Sequence, residues 1–393
     1  MRSRTLLVAG LLLFTACTAG RAAEVAPATT TDSLAPTTTT TVPPTTTSTS
    51  SSTTSTTTTA PPPVAASLSL EQVAAITGDL SPKSIVHSGK GLFFAQNMMY
   101  RHTVSVYNRT FELVKTISDT VDLTEFGFEG DYRGAPVEAA FTSDGAYGYV
   151  SNYQMYGPGF ARAGGDGCGL ADWDESFVYR IEMSSLEIDQ IIPVGSVPKF
   201  LTVTPDDRYV LVANWCSFDV SVIETDTGEE MARVEVGRHP RGIGVDPEST
   251  TAYVAVMGSS KIAVLDLSDL SVSWLEGVGA GPRHLVMDPT GRFLYVTLNG
   301  EGRVAKIDLR IGEVVARVAT GRAPRSMTIS GDGTALYVVN YDSDTVAKVA
   351  TNAMAVLQTL PVAHHPIGIT FDDATRRVWV SSYSGVITVF DER

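Results

Sequence analysis

Short apolar runs rich in β-branched and aromatic residues alternate with polar turn sequences from about residue 68 to the end of the chain. In one stretch these runs predict strands over residues 200–204, 209–214, 219–224 and 230–236. Pro205-Asp206-Asp207 lies between the first two, and Asp226-Thr227-Gly228 between the last two; both are typical of turns. No segment shows helical periodicity, so the pattern predicts an all-β domain.

A proline marks the start of each four-strand unit. It recurs every 42 residues, at Pro198, Pro240, Pro282, Pro324 and Pro366. Pro82 and Pro136 begin two earlier units, which run 54 and 62 residues to the next proline. A period of about 40–45 residues with four strands in each unit is the signature of a propeller blade. The repeat therefore predicts seven blades.

The seventh unit is too short to hold four strands. It runs from Pro366 to Arg393, only 28 residues, whereas residues 68–81 supply the missing 14 and contain an apolar run at 73–77. We therefore predict a seven-bladed β-propeller over residues 68–393, its last blade closed by the N-terminal strand. This closure leaves no exposed sheet edge at the seam.

The ends of the predicted second strands share a short motif. The string Tyr337-Val338-Val339-Asn340, its relatives at 149–152 and 211–214, and the leading Gly-x-x-Pro resemble the YVTN family of β-propeller repeats. The resemblance covers nearly the whole domain and implies the propeller fold. It does not imply one activity, because similar proteins include surface-layer proteins, binding modules, lactonases and parts of redox enzymes.

The first 17 residues read as an export signal. Arg2 and Arg4 precede nine apolar residues, 6–14, which are too few to span a bilayer. Phe14-Thr15-Ala16-Cys17 resembles the lipobox of bacterial lipoproteins, which implies lipidation of Cys17 and attachment to the outer face of the bacterial cell membrane. An ordinary secretory signal cleaved nearby is the alternative, and either interpretation predicts export.

Residues 18–67 consist largely of Thr, Ser, Pro and Ala. Such a segment has too few apolar side chains to offset the entropy of ordering it, so we predict a disordered stalk. The stalk is either O-glycosylated or a plain tether, since both have this composition.

Charge and cysteine content exclude several classes. Asp and Glu outnumber Lys and Arg by 43 to 29, which argues against a nucleic-acid partner. Three cysteines exclude a disulfide-dense scaffold and a four-cysteine zinc site. In an exported protein, Cys168 in the insertion 153–176 and Cys216 in the next blade are expected to form a disulfide bond on one rim of the ring.

That rim, here called the top rim, contains the repeat prolines, the connections between second and third strands, and the insertions 118–134 and 153–176. Aromatic and methionine residues such as Trp215 and Tyr383 collect there, either as a recognition surface or as packing between blades. The residue after the repeat proline is cationic in five of seven units, and we name these five the cationic ring: Lys83, Lys199, Arg241, Arg283 and Arg325. Side chains at this position are expected around the mouth of the central channel, where they would bind an anionic group.

The alternative for the cationic ring is a structural one, in which each cation pairs with a carboxylate of a neighbouring blade. Glu138 is the obvious partner in the strands. Further candidate partners lie in the first insertion, at Asp119, Asp122, Glu125, Glu129 and Asp131.

Signals for catalysis are weak, since no nucleophile elbow, phosphate-binding loop or zinc-protease motif is present. Asn152, Asn214 and Asn340 with Glu138 resemble the metal centre of gluconolactonase-like propellers, but side chains at strand ends more often satisfy backbone groups. Calcium binding by the acidic insertion at 166–175 is a further alternative. A metal site was also considered for the histidines His239, His284, His364 and His365. We predict no catalytic residue, metal or cofactor.

These observations favour a lipid-anchored, surface-displayed, non-catalytic binding module. Its ligand is expected on the top rim, and an anionic cell-wall glycan or an envelope protein would fit. The alternatives are a metal-dependent lactonase or related hydrolase centred at the channel mouth, and a structural surface-layer or adhesion protein.

Overall fold

The computed structural model describes residues 63–153, Cys168 and residues 176–393. The predicted signal peptide with Cys17, most of the predicted stalk and nearly all of the second insertion lie outside the described residues. Within them the chain forms seven sheets of four antiparallel strands, whose innermost strands contact one another around a ring. This is the predicted seven-bladed β-propeller. No helix in the described part of the chain is long and apolar enough to cross a membrane.

The strands follow the chain from blade to blade. The N-terminal strand is β1 (Leu70–Ile76), and blade one contains β2 (Ser84–His87), β3 (Leu92–Asn97), β4 (Thr103–Asn108) and β5 (Leu113–Ser118). The first insertion contains β6 (Thr120–Asp122) and β7 (Asp131–Arg133). Blade two contains β8 (Ala135–Phe141), β9 (Tyr147–Tyr153), β10 (Ser176–Glu182) and β11 (Glu187–Val194). Blade three contains β12 (Pro198–Val203), β13 (Tyr209–Asn214), β14 (Asp219–Glu224) and β15 (Glu229–Glu235).

The remaining blades repeat this arrangement. Blade four contains β16 (Pro240–Val245), β17 (Thr251–Val256), β18 (Lys261–Asp266) and β19 (Val272–Leu275). Blade five contains β20 (Pro282–Met287), β21 (Phe293–Leu298), β22 (Arg303–Asp308) and β23 (Glu313–Ala319). Blade six contains β24 (Pro324–Ile329), β25 (Ala335–Asn340), β26 (Thr345–Ala350) and β27 (Ala355–Pro361), and blade seven contains β28 (Pro366–Asp372), β29 (Arg377–Ser382) and β30 (Val386–Glu392).

Burial changes from the inside of a blade to its outer edge. The second strands β13 and β25 are buried along their whole length, whereas the outermost strands β15 and β23 alternate exposed and half-buried residues. A second strand has neighbouring blades against both of its faces, so it reads as a continuous apolar run. An outermost strand keeps the alternation of a half-buried strand.

The N-terminal strand completes blade seven, as predicted. Strand β1 pairs antiparallel with β30, with Leu70 opposite Glu392 and Ile76 opposite Ile387, and the sheet order is β28-β29-β30-β1. The strand begins three residues before the run at 73–77 that predicted it. Both ends of the domain therefore meet in one sheet.

The packed chain starts slightly before the predicted boundary at residue 68. Residues Ala65–Ser67 form a 3-10 helix in which Ala65 is fully buried. The Ala65 N–H donates to Asp332 Oδ2 (2.7 Å), and the Ala66 N–H donates to Thr334 Oγ1 (3.0 Å). Both acceptors lie in the turn between β24 and β25, on the rim opposite the repeat prolines, here called the bottom rim.

A buried ion pair secures this closure. Lys348 on β26 and Glu392 on β30 have fully buried side chains, and Lys348 Nζ lies 2.6 Å from Glu392 Oε1. The same ammonium group donates to the carbonyl oxygens of Ala65 (2.6 Å) and Leu68 (2.8 Å). One lysine thus links blade six to both ends of the domain.

Replacing Lys348 by Met removes one partner of the buried Glu392 carboxylate, which keeps its ion pair with Arg376 (2.5 Å). We expect the free energy of unfolding, measured by urea denaturation, to fall by about 2–3 kcal/mol, because the carbonyl oxygens of Ala65 and Leu68 lose their donor as well. Lys115→Met, which breaks the largely exposed pair between Lys115 and Glu187, is the matched control and should cost less than about 1 kcal/mol. Equal losses in the two variants would contradict this role for Lys348.

The first insertion forms a small hairpin that packs on blade two. Strands β6 and β7 pair, and a 3-10 helix, Leu123–Phe126, lies between them. The Tyr132 ring meets Phe177 edge-on, with the ring centroids 4.7 Å apart. Leu123 and Tyr132 belong to the same buried cluster as Phe177, Tyr179 and Ile191. The hairpin therefore lies against the third and fourth strands of blade two.

Candidate functional site

The loop that leads into each inner strand has the same backbone conformation in five blades. The residue before the repeat proline has a positive φ of 50–65° at Val197, His239, Gly281, Ala323 and His365. Each of their carbonyl oxygens accepts a hydrogen bond of 3.0 Å from a residue just beyond the second strand of the same blade. Left-handed backbone is uncommon for non-glycine residues, so these hydrogen bonds hold a constrained loop at the start of the inner strand in these five blades.

The cationic ring converges on one cavity at the top rim, here called the mouth cavity. All five of its side chains line a space of about 340 Å³. Lys83, Lys199, Arg241 and Arg283 are at most 9% exposed, and Arg325 is half-buried. The remaining lining residues are apolar or aromatic: Met98, Met99, Trp215, Met257, Ile367 and Tyr383. No carboxylate among the described residues lines this cavity.

The two lysines of the ring have well-defined partners. Lys83 Nζ lies 3.1 Å from Glu138 Oε2, the contact that the structural alternative predicts. Lys199 Nζ donates to the hydroxyl of Tyr153 and lies 4.5 Å from the centre of that ring. Lys83 is therefore paired with a carboxylate of the neighbouring blade, as the structural alternative predicts.

The three arginines stack on aromatic rings or bond to neighbouring loops. Arg241 lies over the Trp215 ring at 5.6 Å, and Arg325 lies over the Tyr341 ring at 4.2 Å. Arg283 Nε donates to the carbonyl of Arg325 (3.2 Å), which links blades five and six. The buried Nε of Arg325 has no hydrogen-bond partner among the described residues.

The converging cations produce a positive field in the channel. Burial first, and then repulsion by Arg241 and Arg283, lower the pKa of Lys83 to about 7 despite the attraction of Glu138. Deeper in the channel, Glu138 and His284 line a second cavity of about 200 Å³. Desolvation, followed by repulsion from Lys83, Arg283 and Arg241, lowers the pKa of His284 to about 3. His284 is therefore neutral at physiological pH.

The acidic residues of the first insertion do not neutralise the ring. Asp119 is buried beside blade two, where it accepts a hydrogen bond from Asn152 Nδ2, and burial raises its pKa to about 7. Asp122 instead caps the short helix by accepting from the N–H of Thr124 (2.9 Å). Neither they nor Glu125, Glu129 and Asp131 line the mouth cavity, because the hairpin that contains these residues packs on blade two.

The asparagines considered for a lactonase-type metal centre hold strand ends instead. Asn214 Nδ2 donates to Asp219 Oδ1 (2.7 Å), and Asn340 Nδ2 donates to the carbonyl of Thr320 (3.1 Å). Each packs on the glycine near the start of its blade; a Cβ on Gly321 would lie 2.7 Å from Asn340 Cγ. The asparagine side chain of the repeat therefore packs closely against the glycine of the same blade, where a larger residue would not fit.

The four histidines do not form one cluster, although the rings of His364 and His365 stack with their centres 3.6 Å apart. His239 stacks on Trp215 with the ring centres 4.3 Å apart, and His365 stacks on Tyr341 at 4.2 Å. His364 Nδ1 lies 2.8 Å from Asp344 Oδ2 at the surface. Within the described ranges, no group of three or more His, Cys, Asp or Glu side chains is placed to hold a metal ion. The proposed calcium loop at 166–175 lies outside those ranges except for Cys168.

The predicted disulfide bond between Cys168 and Cys216 is present, with the two Cα atoms 5.0 Å apart. Cys216 is buried in an apolar cluster with Met98, Val137 and Tyr153, against which Cys168, Trp215 and Tyr383 pack. Because Met98, Trp215 and Tyr383 also line the mouth cavity, the disulfide bond fixes one point of the second insertion beside it.

Met257 also lines the mouth cavity, and the sequence did not predict this. A single methionine after a second strand carries no sequence signal that marks it as a cavity residue.

The fold places this chain among the seven-bladed β-propellers. No protein-family model and no curated protein sequence matches it. Solved structures that match include hydrazine synthase of Kuenenia stuttgartiensis, with a TM-score of 0.64 and 19% sequence identity over 80% of this chain and 96% of that chain. Similarity at this level of identity shows the fold alone, and membership of the YVTN family stays a prediction.

The lowered pKa of Lys83 predicts a pH-dependent stability. Between pH 7 and 10 the unfolded chain keeps a proton on Lys83 that the folded protein has released, so stability rises with pH over this window. We expect the slope of unfolding free energy against pH to be steeper in the wild type than in Lys83→Met, by up to about 1.4 kcal/mol per pH unit. Identical slopes, measured by urea denaturation from pH 6 to 10, would show that Lys83 keeps its proton throughout.

Proposed function

We propose that this protein is a non-catalytic binding protein whose mouth cavity takes an anionic group. The observation that supports the proposal is the convergence of five cations from five blades on one cavity of about 340 Å³. Carboxylate, phosphate and sulfate oxygens are the natural partners of guanidinium groups, which offer several N–H donors in one plane.

Burial strengthens the argument for an anion. Four of the five cations are at most 9% exposed, so charges in this cavity interact more strongly than charges at an exposed surface. Burial, and then repulsion among the ring cations, lower the pKa of Lys83 and of His284. An anion in the cavity would offset this repulsion, and the interaction would be stronger than at an exposed surface because the site is shielded from water.

We further propose that the protein is exported, anchored to the outer face of the bacterial membrane through Cys17, and displayed on the stalk. The contacts of Ala65 and Ala66 with Asp332 and Thr334 support this arrangement, because they bring the end of the stalk to the bottom rim. The mouth cavity on the top rim would then point away from the membrane. An anionic cell-wall glycan or an acidic segment of an envelope protein fits this position.

Binding is tested by titrating the purified chain with inorganic phosphate and with citrate at constant ionic strength. A ligand that binds only the folded state raises Tm by mass action. We expect Tm to rise with either anion, and Arg325→Ala to weaken the apparent affinity about tenfold, since a charge-assisted hydrogen bond contributes about 1.5–3 kcal/mol.

Arg310→Ala is the matched control, because it removes the same charge from an exposed side chain that pairs with Asp308 away from the cavity. It should leave the affinity unchanged. The proposal is wrong if neither anion raises Tm, or if both variants weaken binding equally.

The anchor is tested separately by fractionating bacterial cells that express the chain. We expect Cys17→Ser to move the protein from the membrane fraction to the soluble fraction, since the thiol is the site of lipid attachment. Thr18→Ser, at the next position, should stay with the membrane. Retention of the Cys17→Ser variant in the membrane fraction would contradict anchoring through Cys17.

A further inference from the structure

The lining of the mouth cavity combines cationic and apolar side chains. Arginines occupy the position after the repeat proline on three consecutive blades, at Arg241, Arg283 and Arg325. Ile367 and Val137 occupy the same position on blades seven and two. Because the inner strands of consecutive blades are neighbours around the ring, the three arginines form a continuous arc.

Apolar residues line the cavity on blades seven and one, and Trp215 and Met257 line it on blades three and four. Ile367 begins the inner strand of blade seven, Tyr383 follows the second strand of that blade, and Met98 and Met99 follow the second strand of blade one; all four line the cavity. The cation on this side, Lys83, pairs with Glu138. The apolar side chains of blades seven and one are thus adjacent to the pair of Lys83 and Glu138, while the three arginines lie on blades four, five and six.

We propose that the mouth cavity binds an amphipathic organic anion, with its acidic head group on the arc of Arg241, Arg283 and Arg325 and its aromatic or short alkyl part against Ile367, Met98, Met99 and Tyr383. This inference rests on the proposed anion-binding function. The volume of about 340 Å³ lies at the lower end of the range for small-molecule sites, about 300–1,000 Å³. It exceeds the space that a bare oxyanion fills.

The chemical class follows from the lining. A carboxylate or phosphate monoester supplies the oxygens that guanidinium groups recognise. An attached ring or alkyl group removes apolar surface from water against the isoleucine and the methionines, and methionine side chains adapt to the shape of such a group. A bare anion gains only the first of these interactions.

The test compares methyl phosphate with phenyl phosphate by isothermal titration calorimetry on the purified chain. Both ligands have the same phosphate head group, so the difference between their binding free energies measures the contribution of the apolar part. We expect phenyl phosphate to bind at least about tenfold more tightly, corresponding to about 1.4 kcal/mol. Arg325→Ala should weaken both ligands to a similar extent. Ile367→Thr should weaken the binding of phenyl phosphate more than that of methyl phosphate and so reduce the preference.

Ile311→Thr is the matched control, because Ile311 is 59% exposed and does not line the cavity; it should preserve the preference. If Ile367→Thr does not fold, Met99→Gln at a half-buried lining position tests the same side of the cavity. Equal affinities for the two phosphates would contradict the proposal of an amphipathic ligand, whereas the proposed anion site would be unaffected.

Two further outcomes bear on the proposed function itself. If neither phosphate binds, the anion site and the amphipathic ligand both fail. If benzyl alcohol binds as tightly as phenyl phosphate and Arg325→Ala has no effect, the cavity is an apolar site and both proposals are overturned.

Discussion

The blades of this protein bury their second and third strands mainly against neighbouring blades, so the structure depends on closing the ring. The pairing of β1 with β30 provides that closure. The ion pair between Lys348 and Glu392, both fully buried, ties it to blade six and to Ala65 and Leu68. The two ends of the domain are held by one set of hydrogen bonds, which explains why a single lysine has a large expected effect on stability.

Ring closure also creates the mouth cavity. A residue that occurs once per blade, at the start of the innermost strand, is brought close to its counterparts in the other blades when the ring closes. Cations that would be solvated on an open surface are then buried beside one another. Burial, and then repulsion between the cations, lower the pKa values of Lys83 and His284. The same geometry that stabilises the fold therefore produces a site that favours negative charge.

The two rims of the ring have different roles in the proposed function. The bottom rim receives the chain from the stalk at Ala65, through the turn that contains Asp332. The top rim contains the mouth cavity and the disulfide bond between Cys168 and Cys216, which packs against its apolar side. The proposed attachment and the proposed anion site therefore lie on opposite rims.

The sequence by itself determined the seven blades, the closing N-terminal strand, the strands at 209–214 and 219–224, and the position of the cationic ring. These features follow from a local pattern repeated every 42 residues. Only the tertiary structure decided that Glu138 pairs with Lys83, that Lys348 is buried against Glu392, and that the first insertion packs on blade two. These contacts join residues of different blades or loops, and a repeat pattern specifies strands within a blade without specifying which side chains meet across the ring.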